Sequence, residues 1–109
     1  MTDKDFDSIV EHRISAIREI LLVKAKEYAR NGDRLHNFRR AAALERCTQE
    51  RALLGMLTKH IVSVYDMVDD LERGIWIRKS AWDEKIGDMI NYAILLEALI
   101  SERGNVKKS

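Results

Sequence analysis

Proline is absent from this sequence, glycine occurs only five times, and the single cysteine is Cys47. Without prolines and with few glycines the chain has little to interrupt a helix, and its apolar residues recur at intervals of three and four, so we expect an all-α fold. A lone cysteine excludes an intrachain disulfide framework, and with three scattered histidines it gives no Cys/His zinc spacing. A reducing cytoplasm suits such a chain. Nor does either sign of charge predominate: 19 Lys and Arg stand against 18 Asp and Glu, a net charge of +1. That balance gives no reason to expect nucleic acid as a partner. No apolar run approaches the roughly 18 residues of a membrane span, and the opening "MTDKDFDSIVEHR" is acidic where a signal peptide would be basic. We therefore expect a cytoplasmic protein with no membrane partner. Glycine-rich phosphate loops, a Ser/His/Asp order and HExxH are missing too. Any chemistry must come from carboxylates, a lysine and a metal.

What is present is a helical core. Hydrophobic residues make up 46% of 109 residues, enough for a single helical domain over 1–109, with 103–109 a flexible tail. The pattern predicts a four-helix, bundle-like arrangement of three long helices and one short one. The first spans about Phe6 to Tyr28, with Val10, Ile14, Ile17, Leu21, Lys24 and Tyr28 on one stripe, and is broken around Gly32. Asn37 can cap the short second helix, which ends near Cys47, and Thr48 can cap a long third helix carrying Leu53, Leu57, Ile61, Val64, Val68 and Leu71. Ser80 to Asp83 resembles a capping box for a fourth helix over about 81–102, with Gly104 as its stop. That last helix is apolar over a wide arc. Ile86, Met89, Ala93, Leu96 and Ile100 form one stripe and Leu95 and Leu99 another, more than one neighbouring bundle covers, so a homodimer or higher homo-oligomer is expected.

Polar residues interrupt these stripes. Lys24 and Glu27 continue apolar rows near the end of the first helix, which would turn both inward, and a buried charge needs a partner. On the fourth helix Glu84, Asp88 and Asn91 fall at i, i+4 and i+7. Two acids one turn apart offer oxygens to a hard cation such as Mg²⁺, or else they are solvated side chains. Lys59, Ser63 and Asp66 share a face of the third helix. His60 lies at the edge of its apolar stripe, where a histidine is more often a packed bundle residue than a ligand. Trp76 and Trp82 flank the last loop, placed either to pack it or to stack on a base. The loop "ARNGDRLHN" follows the polar end of the first helix, and as the mouth of a pocket it would turn Arg30 and Arg34 toward phosphate.

The succession "KAKEYARNGDRLHNF", a short Ala-rich helix, "LTKH" and "EKIGDMINYAILL" resembles small phage-type relatives of the MazG-like all-α nucleoside triphosphate pyrophosphatases, of the nucleotide modification associated domain kind. The resemblance covers roughly residues 20 to 100. It rests on Lys24 with Glu27-Tyr28, the spacing from Asp33 to Asn37-Phe38, and Asp88-x-x-Asn91-Tyr92. It implies an oligomeric helical bundle that holds Mg²⁺ on helix carboxylates and splits a nucleoside triphosphate into monophosphate and pyrophosphate. Asp88 and Glu27 then match acidic positions, while Lys24, Asn37, Lys59 and Asn91 match polar positions of the nucleotide pocket. The chain departs from the pattern in three places. Lys85 stands three residues before Asp88 where an acid is usual, Thr58 precedes Lys59, and the Glu-Glu-x-x-Glu run of typical members is missing.

Three functions follow as expectations. The first is a Mg²⁺-dependent pyrophosphohydrolase with Glu27, Glu84 and Asp88 on the metal, Lys24 or Lys59 stabilising the transferring phosphoryl group, and Tyr28, Arg34, Asn37 and Asn91 around the nucleotide. The second is a non-catalytic module that binds or sequesters a nucleotide. The third is a helical protein-interaction protein of phage origin.

Overall fold

The computed structural model describes residues 1–25 and 32–108, with side chains as far as Asn105. Its described residues are helical and contain no strand. They fall into two compact units, Met1–Arg34 and Leu35–Ser109.

In the first unit, α1 runs from Asp3 to Ile17. Thr2 and Asp5 form a reciprocal capping box: the Asp5 amide donates to Thr2 Oγ1 at 3.1 Å, and the Thr2 amide donates to Asp5 Oδ2 at 3.2 Å. Two otherwise orphaned donors are thereby satisfied, and Asp3 and Asp5 complement the positive end of the helix dipole. The helix therefore starts three residues before Phe6. From Arg18 to Lys24 it widens into a π-helix, closed by the Ala25 amide donating to the Ile20 carbonyl. Arg34 Nη1 donates to the Leu21 carbonyl at 3.1 Å, and Gly32 takes a left-handed φ of 74° that glycine adopts without steric cost. No residue of α1 or of the π-helix is buried. The stripe pattern turns Lys24 inward; in the structure it is exposed, because the apolar row it continues is itself uncovered.

The second unit holds α2 (His36–Glu45), α3 (Gln49–Glu72) and α4 (Lys79–Lys108). Asn37 does not cap α2. The helix begins at His36 behind Leu35, with no side-chain cap, which leaves Asn37 exposed inside the first turn. Thr48 caps α3 as expected, its hydroxyl accepting the Arg51 amide at 3.1 Å. At the other end of α3 the Ile75 amide donates to the Asp70 carbonyl and the Gly74 amide to Leu71, a Schellman closure that needs the left-handed φ of 81° at Gly74. Ser80 does not cap α4, because Arg78 supplies the carbonyl that accepts the Ala81 and Trp82 amides and places Ser80 inside the helix. The Ser80 hydroxyl accepts from Arg78 Nε at 3.1 Å instead. The stop expected at Gly104 is also absent, since α4 continues to Lys108. A glycine inside a helix costs only about 1 kcal/mol relative to alanine.

The core of this unit is Leu35, Phe38, Leu53 and Leu99, with Met56, Tyr92, Leu95 and Leu96 packed against it. Helices α3 and α4 run antiparallel: Glu50 meets Arg103 near one end, and His60 meets Asp88 further along. Arg103 makes a two-pronged pair with Glu50 at 2.7 and 2.9 Å, and Arg39 of α2 makes another with Glu102 at 2.8 and 2.9 Å. The guanidinium of Arg103 holds the Glu50 carboxyl below the ordinary carboxylate value of 4.5.

The α2–α3 turn contains a correctable strain. Arg46 closes α2 in the left-handed region at φ 56°, a conformation that costs a residue with a Cβ roughly 1–2 kcal/mol. Arg46→Gly should therefore raise stability by about 1 kcal/mol, measured by urea denaturation. A loss of stability would show that the side chain has a role of its own in the turn.

Candidate functional site

The packing between α3 and α4 changes character along its length. Around Leu53 and Leu99 it is apolar and closed. Two turns along α3 from Leu53, on the same stripe, stands His60. On α4, going back from Leu99 through Leu95, the stripe reaches Tyr92 and then Asp88. Helical spacing thus carries one buried seam out of the core into a polar cluster.

In that cluster His60 Nδ1 lies 3.4 Å from Asp88 Oδ2, with the two side chains 24% and 30% exposed. The His60 ring sits 5.0 Å from the Tyr92 ring, tilted by 37°. Phe38 of α2 meets Tyr92 edge-on at 6.2 Å, so Tyr92 has an aromatic neighbour from each of two helices. Asn91 is buried, 7% exposed, and its Oδ1 has no hydrogen-bond partner. A buried acceptor left unpaired costs about 1–3 kcal/mol, and such a group in a folded protein calls for a partner, whether water, ion or ligand. Trp82 Nε1, earlier on α4, is a second buried polar atom without a partner.

Burial, and secondarily the negative charge of Asp88, raise the pKa of the Tyr92 hydroxyl above its ordinary value of 10.0. Because the folded-state value is raised, Tyr92 contributes stability that is fully present below about pH 10 and is lost as pH rises through the raised value. In a spectroscopic titration its phenolate band should appear above pH 10, and Asp88→Asn should bring it partway back. An unmoved band in the variant would show that Asp88 does not act on this ring.

The sequence-predicted site residues fare unequally. Asp88 meets His60, and Asn91, one turn further along α4, is buried. Glu84, one turn before Asp88, is exposed, as are Lys59 on α3 and Asn37 on α2. The Lys59 carbonyl accepts the Ser63 hydroxyl at 3.1 Å. In the first unit Lys24 is exposed at the end of the π-helix, and Arg34 binds the Leu21 carbonyl. Glu27, Tyr28 and Arg30 lie outside the described residues. Sequence reasoning left His60 as a packed bundle residue and Tyr92 without a role. The signal that finds both is their seven-residue spacing from the most buried leucines, Leu53 and Leu99.

Among the described residues no three His, Cys, Asp or Glu side chains assemble into a metal-binding group. The oxygen donors that share one face of the first half of α4 are Glu84, Asp88 and Asn91, all hard ligands of the type Mg²⁺ takes when it keeps water and phosphate in its shell. Their chemistry fits that ion. Among the described residues no helix is long and apolar enough to cross a membrane. Comparisons with protein-family models, with curated proteins and with solved structures found no match.

Proposed function

We propose that the polar cluster between α3 and α4 binds a nucleoside triphosphate in the cytoplasm and, with Mg²⁺, hydrolyses it to the monophosphate and pyrophosphate. The observation that carries this reading is the unpaired, buried amide oxygen of Asn91, one turn along α4 from Asp88. A buried amide on the same helix as Tyr92 and Asp88 would supply the hydrogen-bonding edge that a flat base needs. Asp88, with Glu84 one turn away, would hold the metal. His60 Nδ1 approaches Asp88 Oδ2 to 3.4 Å and would help to hold that carboxylate. Lys59, next to His60 in sequence, places a positive charge at the solvent edge for phosphate oxygens. When bound, Mg²⁺ neutralises phosphate charge and lowers the pKa of an attacking water.

A second reading, a module that binds the nucleotide without turnover, is favoured by one observation. Only two carboxylates stand on this face of α4, and one of them, Glu84, is exposed. A panel of nucleoside triphosphates with Mg²⁺, read for pyrophosphate release and for thermal shift, separates the two. Release that disappears with EDTA and in Asp88→Asn supports the hydrolase. A shift without release supports the binding module, and neither signal with any triphosphate sinks both.

A further inference from the structure

The apolar face of the N-terminal helix has no buried residue. Phe6, Ile9, Val10, Ile14, Ile20 and Val23 follow one another at helical intervals and are all exposed, from 39% at Val10 to 57% at Phe6. A run of this kind on a helix of more than twenty residues, counting the π-helical part, is a surface made to be covered.

The charges along the same helix say by what. Between residues 3 and 11 the acids Asp3, Asp5, Asp7 and Glu11 face a single base, Lys4. Between residues 12 and 24 the bases Arg13, Arg18 and Lys24 face a single acid, Glu19. The helix is thus acidic in its first half and basic in its second. A second copy laid alongside in the same direction would set acid on acid and base on base. Laid in the opposite direction, it sets each acidic half on a basic half. With the two-fold axis between Arg13 and Ile14, Asp3 falls opposite Lys24, Phe6 opposite Leu21, and Val10 opposite Ile17. An anionic lipid surface is the poorer occupant, because interfacial helices carry Lys and Arg along the whole polar face, and here half of it is acidic.

We propose that the helix of residues 3–24 is a self-association surface that pairs antiparallel with the same helix of a second copy of this chain. The contact is isologous, so one two-fold axis closes it and no filament follows. It stands independently of the nucleotide reading.

Sedimentation equilibrium on the full chain tests it. The wild type should be dimeric at micromolar concentration. Asp3→Lys with Asp7→Lys, which spare the Thr2–Asp5 cap, should weaken the dimer about tenfold or more by opposing like charges. Adding Arg18→Glu and Lys24→Glu to that same chain reverses both halves and should restore it. As a check that does not depend on charge reversal, chains carrying Cys47→Ser and either Asp3→Cys or Lys24→Cys are mixed and oxidised. The antiparallel pairing predicts disulfides between unlike chains in preference to like ones. A monomeric wild type, a fourfold-reversed chain that stays dissociated, or disulfides chiefly between like chains would each overturn the proposal. The first of these would leave the face to a different partner.

Discussion

Asn91→Leu should make the protein more stable and weaken binding of the nucleotide we propose for the site. The amide is buried and its oxygen has no partner, so the folded chain carries a desolvation cost that leucine, of similar shape, removes. We expect a gain of about 1–3 kcal/mol in urea denaturation. The same change deletes the hydrogen-bonding edge that we assign to the base, and it should reduce nucleotide affinity by about tenfold or more, since a binding site punishes a lost polar partner heavily. Stability rising while binding falls is the pattern of a residue kept for function at the expense of the fold. If the variant is instead destabilised by several kcal/mol and its thermal shift with nucleotide is unchanged, Asn91 is structural and the proposed site is wrong.

Leu99→Ala should cost about 3 kcal/mol or more, because Leu99 is 2% exposed and joins the central cluster with Leu35, Phe38 and Leu53. The loss has two parts, the transfer of the deleted carbons and the cavity they leave among neighbours that close up only partly. For a unit of this size a change of that magnitude lowers the melting temperature by roughly 15 °C. Ile100→Ala is the control. Ile100 is adjacent in sequence and 53% exposed, so its truncation should change stability by no more than about 0.5 kcal/mol. Equal losses from the two variants would mean that both faces of α4 are covered in solution.

That pair of residues also marks where pattern reading stopped working. The wide apolar arc of α4 offers two stripes, and the fuller one by count is exposed at Ile86, Ala93 and Ile100 and half-buried at Met89 and Leu96, Leu96 packing against the core. The buried seam runs through Asp88, Asn91, Tyr92, Leu95 and Leu99. Counting apolar residues does not find the most buried line, because Asp88, Asn91 and Tyr92 on it are polar. On α3 the same drift occurs: Leu53 is buried but Ile61 and Leu71 are exposed, while Met67 closes the far end. Caps were legible where only a few residues decide them, as with Thr48. They misled at Ser80, whose place was taken by the carbonyl of Arg78, and the Thr2–Asp5 box was in plain view with the same spacing.

The sequence by itself determined what depends on neighbours within about one helical turn. Those features are helix in place of strand, the end of α2 near Cys47 and the start of α3 at Thr48. They follow from steric freedom, amide satisfaction and the 3.6-residue period, all of which act over a few residues. Only the tertiary structure decided which side of α4 is inside and that His60 stands beside Asp88 and Tyr92. When two faces of a helix have nearly equal apolar area, their transfer free energies do not separate them. The choice falls to the shape of the partner helix, here the Leu53–Met56–His60 edge of α3, and the contacts that make it join residues some thirty to fifty positions apart.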